Sequence, residues 1–528
     1  MSSPSDPAPV HESAAFVPDT ALAMLEWRVV HDPQAVFIIT PDGGERSYSD
    51  IAQRVAILAD TLAQAGVRRG DTVGLYLANE PAWIVAVLAC WRVGAAAACC
   101  GTLTPVAEAQ RRFRLVKAGC MVSSVAESAA SAAILVSSEG LPLQQPSGAG
   151  ADWRSPRSQL LRGDDVGVIL FTSGTTGEPK AIQRLHSEIA HAPRMTTGAY
   201  AKTAEFRPRA APGHAPPALS FNPFGHSASL GRMVFRMYVG RAMVVIPRFD
   251  VDTLARIAPR YPIDALQLTP AMIHALAFTE LDIRFKALKY VNSGTAPLAV
   301  ATRERFEARY GVPVLQAYGS TEGAITALER YDDVMAGRRG RGSVGRIAEG
   351  MPYRIVDASG RDVAPGEEGE LLGRLRHVDA AAPNPAVDGE GWFHTGDLAR
   401  MDGHGILYIT GRLKEMMIVG GFNVYPGEVE EVLLRAPGIR EAVVVALPDE
   451  RLGEVPVAGL VWDRGVAAAD RDEAWRRIAA EARGALEPYK IPRCWFNLDE
   501  MPRNANGKVD RRAAAAMAGE TLKQAGPA

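Results

Sequence analysis

Cysteine is scarce in this chain. Five occur in 528 residues, an odd number, and Cys90, Cys99, Cys100, Cys120 and Cys494 form no C-x-x-C pair. A disulfide framework is therefore not expected, and most of the five should fill core space in a reducing compartment. A metal site made of side chains alone is also missing. His186 and His191 are five apart, which does not give the i, i+4 spacing of a zinc helix. Neither sign of charge is in excess, with 58 basic against 60 acidic side chains, so there is no field to recruit nucleic acid or an anionic membrane. No clean apolar run could span a bilayer. The longest, Ala82 to Cys100, contains Arg92 and Gly94 and reads as a buried helix running into a buried strand. Residues 1–20 have acidic residues and prolines where a signal peptide needs a basic start and an apolar core. A disordered terminus over 1–20 and a cytoplasmic protein are expected. No internal repeat is found.

The length requires more than one compact core. Strand-like runs such as "VGLYLA", "GVILFT", "AMVVIP" and "EAVVVAL" alternate with amphipathic stretches such as "SDIAQRVAILADTLAQAG". This alternation predicts α/β layers with largely parallel sheets. Ser/Gly/Pro-rich stretches near 141–158, 206–218 and 379–391 mark candidate breaks.

The segment "ILFTSGTTGEPKAI", residues 169–182, places small hydroxylated residues and glycines behind an apolar lead and a lysine behind a proline. Bare amides of a glycine-rich turn form an anion-binding concavity, and the lysine adds a point charge. A phosphate ligand is the natural reading. The spacing is wrong for a Walker loop: Gly174 is followed by Gly177 and Lys180, and Ala181 follows the lysine. "GRGSVG", Gly340 to Gly345, fits a dinucleotide fingerprint in letters only, because Pro352 blocks the long helix that fingerprint requires.

Downstream lie "NSGTAPL" (292–298), "AYGSTEG" (317–323), "GWFHTGDL" (391–398), "GRLKEMMIVGGFNVYPGEVEEVL" (411–433) and "PRNANGKVDR", which holds Lys508. Alone, each reads as a turn, a core aromatic, a hairpin, a capped helix or a basic tail. Together their chemistry converges on ATP. Tyr318 offers a flat face to a purine, Thr321 a hydroxyl to a phosphate, and Glu322 a hard oxygen for a magnesium ion held by phosphates. Asp397, after a Thr-Gly turn, can accept from both ribose hydroxyls.

In order and wording these segments resemble the adenylate-forming superfamily of acyl-CoA synthetases, nonribosomal adenylation domains and firefly-type luciferases, over roughly residues 45 to 515. The resemblance implies a large N-terminal adenylation domain (21–411) of layered α/β subdomains with a small β-barrel-like part, and a small mobile α+β C-terminal domain (412–528). It implies that a carboxylate attacks the α-phosphate of Mg-ATP to give an acyl-adenylate and pyrophosphate, and that a thiol then takes the acyl group. Thr172, Ser173, Gly174, Thr175, Thr176, Gly177 and Lys180 would hold the departing phosphates. Thr295, Ala296, Tyr318, Gly319, Ser320, Thr321, Asp397 and Arg412 would hold the rest of the nucleotide. Lys180, Glu322 and Lys508 would be catalytic, Glu322 through magnesium and Lys508 by bridging the carboxylate and the α-phosphate. Lys414 falls at the hinge position, and Gly420 and Gly421 would line a thiol tunnel.

The wording "GGFNVYPGEVEEVL" resembles acyl-CoA synthetases, and no carrier-protein domain follows Lys508, so coenzyme A is the expected acceptor. A stand-alone enzyme loading a carrier protein is the alternative. His226, Ser227, Ser229, Gly294, Ser320 and Ile325 would line an acyl pocket with room for an aromatic, alicyclic or medium to long aliphatic acid. A homodimer is compatible with this reading. The sequence departs from the family pattern at Ala181, at Phe224 and Gly225, and in a shortened stretch between Arg374 and Trp392.

Overall fold

The computed structural model describes residues 19–125, 133–143, 153, 160–173, 179–191, 216–225, 227–319, 325–374, 386–504 and 508–525. Its contacts divide the chain into two compact units, Met1–Leu266 with Leu281–Leu288, and Gln267–Glu280 with Lys289–Ala528. The expected boundary between 411 and 412 falls inside the second unit, at the end of the strand Leu407–Arg412.

In the first unit a six-stranded sheet runs in the order Ala133–Leu135, Cys120–Ser123, Thr72–Leu77, Ala96–Gly101, Val166–Ser173, Pro179–Leu185. Its first five strands are parallel, and the last pairs antiparallel with its neighbour. The longest apolar run behaves as its sequence implies. Helix Pro81–Val93 is buried from Pro81 to Arg92, Gly94 closes it in the left-handed region at φ 82°, and the buried strand Ala96–Gly101 follows. Helix Tyr48–Gln64 packs its apolar stripe on the same core and starts with a capping box between Ser47 and Asp50, a device that contributes about 1 kcal/mol. Cys90 and Cys99 are buried there as free thiols, and Cys100 is buried in a separate core with Tyr76 and Phe113. Burial pushes the Cys100 thiol up to about 11 in spite of the neighbouring Arg112, so these residues are core fillers and not nucleophiles.

The second unit carries the strands that position the candidate site. Tyr290–Ser293 pairs parallel with Val314–Gly319, which pairs antiparallel with Thr326–Leu328 and then Arg346–Ile347. A four-stranded antiparallel meander follows: Tyr353–Val356, Glu368–Gly373, Phe393–Met401 and Leu407–Arg412. The last sheet holds Phe422–Val424, Met417–Val419, Gly453–Trp462 and Ile439–Asp449, with Cys494–Asn497 added parallel to Gly453–Trp462. Its two faces bury separate apolar cores against helices Pro426–Leu433 and Arg471–Ala482 on one side and Arg511–Ala525 on the other. Among the described residues no helix is long and apolar enough to cross a membrane.

Candidate active site

The centre of the site is a break in the meander. Glu370 pairs with Leu398 and Leu372 with His394, so Leu371 alone stands opposite Thr395, Gly396 and Asp397. Two extra residues must loop out of the ladder there, and such bulges re-aim side chains. Side chains replace the missing ladder bonds. Thr395 Oγ1 donates to the Leu371 carbonyl at 2.6 Å and accepts from the Asp397 amide at 3.1 Å. Gly396, at φ 70°, donates its amide to Glu370 Oε1 at 3.1 Å. Glu370 Oε2 lies 2.8 Å from His394 Nδ1.

The result is a fixed, buried Asp397 carboxylate, 4% exposed. Tyr318 Oη donates to Oδ2 at 2.6 Å, and Arg412 Nε donates to Oδ1 at 2.6 Å. A carboxylate has about four lone-pair sites, so both oxygens can accept further hydroxyls. Burial pushes the Tyr318 phenol well above its ordinary range, and the adjacent Asp397 charge adds to this, so Tyr318 is a neutral donor. Burial works against the Arg412 charge, but the Asp397 carboxylate outweighs it and raises the guanidinium.

Tyr318 leans on a small core of Ile325, Ala327, Ile355, Leu371, Ala399 and Leu407. The fully buried Ile325 belongs to this core. Packing accounts for it, and its expected place on an acyl-pocket wall gains no support. Ser229, also expected on that wall, is buried within helix Ser227–Val239. Thr295 stands at φ 75° and is exposed. A β-branched residue in the left-handed region is strained, and it sits beside Gly294, where a Cβ would press within 3.2 Å of the Ala317 carbonyl.

The strand bearing Tyr318 is held from behind by charge. Glu329 accepts from the Gln316 amide at 2.9 Å and from Ser343 Oγ at 2.7 Å, and lies 3.8 Å from the buried Arg303. Burial pushes the Glu329 carboxyl up and the Arg303 guanidinium down. The "GRGSVG" segment thus supports this strand. Its last glycine, Gly345, has φ 85° and no room for a Cβ against the Leu328 carbonyl, and the short strand Arg346–Ile347 follows it instead of a helix.

In the first unit the expected phosphate loop closes a hairpin. Val166–Ser173 and Pro179–Leu185 pair antiparallel, with Thr172 opposite Lys180 and Ser173 opposite Pro179. A P-loop would join a strand to a helix, so the hairpin separates this loop from nucleoside-triphosphatase folds. Lys180 is exposed at the mouth of the hairpin, and Ala181 has no positive φ. Phe224, a departure from the family pattern, is buried against Trp83 with ring centroids 5.2 Å apart. Gly174, Thr175, Thr176, Gly177, His226, Ser320, Thr321 and Glu322 lie outside the described residues.

Lys508 is exposed beside the bridge between Arg503 and Val509, and its amide donates to Asn504 Oδ1 at 3.1 Å. Lys414 is exposed in the 3-10 turn Leu413–Glu415. This turn is bracketed by two ion pairs, Arg412 to Asp397 on one side and Glu415 to Arg511 on the other, the latter at 2.9 Å. Gly420 and Gly421 have φ 58° and 89° and connect the hairpin strands Met417–Val419 and Phe422–Val424. Positive φ at both positions is sufficient reason for glycine. At the two ends of the shortened stretch, the Arg374 guanidinium lies 4.6 Å from the Trp392 ring centroid.

The model of the AMP-binding enzyme family matches residues 25–378, and that of its C-terminal domain matches residues 428–508. The chain belongs to the AMP-binding enzyme family. Among relatives of this AMP-binding enzyme, a methyl-dioxo-octahydroindenyl-propanoyl:CoA ligase from Rhodococcus jostii is 30% identical over 502 residues, which cover 89% of this chain and 93% of the relative. An indoleacetate–CoA ligase from Aromatoleum aromaticum is 31% identical over 494 residues, covering 88% and 91%. The o-succinylbenzoate CoA synthetase of Bacillus subtilis, solved with its acyl-adenylate intermediate, superposes with a TM-score of 0.76 at 25% identity, covering 93% of this chain and 97% of that one.

Sequence reasoning placed Tyr318, Asp397 and Arg412 of this AMP-binding enzyme in one site, and the structure brings them together. It missed Glu370, Glu329 and Arg303. The signal for Glu370 was weak, since an acidic residue twenty-seven before Asp397 has meaning only once the strands pair.

Proposed function

We propose that this enzyme is an AMP-forming acid–CoA ligase. It activates a carboxylic acid as an acyl-adenylate, releases pyrophosphate, and transfers the acyl group to coenzyme A. The observation that carries this reading is the buried Asp397 carboxylate between Tyr318 and Arg412, in a chain of the AMP-binding enzyme family. Asp397 accepts the ribose hydroxyls, and Tyr318 covers one face of the adenine while its hydroxyl holds Asp397 in place. Lys180 and the hairpin loop hold the leaving phosphates. Lys508 brings two anions together, the substrate carboxylate and the α-phosphate, and offsets the charge that grows as they react. Glu322 would hold a magnesium ion, which would supply positive charge to the triphosphate.

The relatives named above are CoA ligases for a methyl-dioxo-octahydroindenyl propanoate and for indoleacetate. We therefore assign a ring-bearing acid, aromatic or alicyclic, ahead of an aliphatic one. The region after Arg412 acts as the mobile C-terminal domain, turning at Lys414, and the free thiols fit a cytoplasmic setting. The test is acid-dependent exchange of labelled pyrophosphate into ATP over a panel of ring-bearing and straight-chain acids, followed by product analysis with coenzyme A. AMP, pyrophosphate and acyl-CoA are expected. Stoichiometric ADP would overturn the reading, and acyl transfer only to a phosphopantetheinyl carrier protein would replace coenzyme A as acceptor.

A further inference from the structure

We propose that Glu370 is a positioning residue for nucleotide binding, which aims the Asp397 carboxylate through His394 and the Thr395–Gly396 turn. The inference rests on the reading of Asp397 as the ribose acceptor and goes beyond it, because Glu370 itself touches no part of the ribose in that scheme.

The ladder is broken beside Glu370. Between the pairs Glu370–Leu398 and Leu372–His394, three residues face one, and a second irregularity lies between Leu398 and Ala399 on the other edge of the same strand. On the edge facing Glu368–Gly373, backbone pairing fixes the strand only before and after Thr395, Gly396 and Asp397, and on the other edge it reaches Asp397 through Arg412 but not Thr395 or Gly396. Side chains must set their course, and two are available. Thr395 is local and bonds to Leu371 and Asp397. Glu370 comes from the neighbouring strand and uses both oxygens, one on the Gly396 amide and one on His394 Nδ1. Its side chain is only 17% exposed.

The second half of the clamp is His394. Its Nδ1 faces Glu370 at 2.8 Å, and its Nε2 lies 3.6 Å from Asp388 Oδ2. With a carboxylate at each ring nitrogen, Nδ1 carries a proton and donates to Glu370. This donor leaves Glu370 Oε1 directed at Gly396. Gly396 sits in the left-handed region at φ 70°, and an amide bonded to a charged acceptor is held more firmly than one bonded to a neutral acceptor. A rotation of the Gly396 peptide would turn Asp397 away from Tyr318 and Arg412, since Asp397 follows it directly.

The test compares Glu370→Ala and Glu370→Gln with wild type in AMP binding by calorimetry, in KM for ATP, acid and coenzyme A, and with 2′-deoxy-ATP and 3′-deoxy-ATP as alternative substrates. Glu370→Ala is expected to weaken AMP binding and raise KM for ATP about tenfold, the worth of one charge-assisted hydrogen bond. KM for acid and coenzyme A should stay within about twofold, because those ligands do not meet the ribose. The preference for ATP over the deoxy analogues should fall by the same factor, a readout that general loosening of the fold would not move. Glu370→Gln retains an acceptor for Gly396 and should fall between the two. If Glu370→Ala does not fold, the Glu370→Gln preference for ATP over deoxy-ATP decides. A normal ribose preference in a folded Glu370 variant would overturn the inference. Asp397→Ala is run in parallel: if it too leaves the ribose preference unchanged, the assignment of Asp397 fails, whereas loss of preference in Asp397→Ala alone refutes only the role of Glu370.

Discussion

Arg412 and Asp397 are register partners on adjacent antiparallel strands, and the Arg412 guanidinium donates to the buried carboxylate at 2.6 Å. Arg412 is itself 58% exposed at its side chain. The Asp397 carboxylate is buried, and losing its partner leaves that charge uncompensated, although water can reach the space the exposed guanidinium vacates. Arg412→Ala should therefore lower the melting temperature modestly. It should raise KM for ATP about tenfold, because a charged hydrogen bond at a binding site is worth about 1.5 kcal/mol or more. A thermal melt and an ATP titration on one preparation check this, and a large loss of stability with normal KM would assign Arg412 to the fold alone.

Tyr318 separates its two parts by substitution. Tyr318→Phe keeps the ring and removes the donor to Asp397, so KM for ATP should change by about threefold or less if ribose hydroxyls take over the freed oxygen. Tyr318→Ala removes the base-stacking face, which is worth about 1–3 kcal/mol per base, and should raise KM for ATP by about tenfold or more. Equal effects of the two variants would argue that the hydroxyl, not the ring, meets the nucleotide.

Thr295 stores backbone strain at φ 75°. An L-residue in the left-handed region costs about 1–2 kcal/mol, and glycine returns about 0.5–1 kcal/mol of this as greater freedom in the unfolded chain. Thr295→Gly should thus stabilise the protein by up to about 1 kcal/mol, while Thr295→Val should lower the melting point. If the strain serves the site, the glycine variant binds AMP more weakly despite its stability. Denaturant curves and AMP calorimetry on the two variants decide.

Lys508 is exposed, so Lys508→Ala should not disturb folding. Loss of a preorganised charge at the transition state typically costs about 10²- to 10³-fold in rate, and the acid-dependent pyrophosphate exchange should fall by about that factor. Thioester formation from supplied acyl-adenylate should fall far less. Equal losses in both half-reactions would refute the separation of the two steps between domain orientations.

Lys414 lies between two anchored neighbours, Arg412 on Asp397 and Glu415 on Arg511. A turn of the C-terminal region must then be absorbed by Leu413 and Lys414. Lys414→Ala should be mild. Lys414→Pro fixes φ near −65° and restricts Leu413 as well, so one half-reaction should survive and the other fall by orders of magnitude, with an unchanged melt. Loss of both half-reactions with a lowered melting temperature would mean that proline had only damaged the fold.

The amino-acid sequence alone determined the family, the convergence of Tyr318, Asp397 and Arg412, and the buried helix and strand at Ala82 to Cys100, because each is written in local chemistry: a motif, a spacing, or an unbroken apolar run. It also excluded a dinucleotide fold at "GRGSVG", since Pro352 forbids the helix. Ile325, placed near a pocket by resemblance, packs in the small core beside Tyr318, a contact that only the structure shows. Glu370, Glu329 and Arg303 were decided only by tertiary structure. Their meaning depends on which strands become neighbours and where the ladder skips residues, so that a carboxylate on one strand meets an amide on the next. Strain at Thr295 was likewise invisible, because nothing in a threonine announces a positive φ until the surrounding strands impose it.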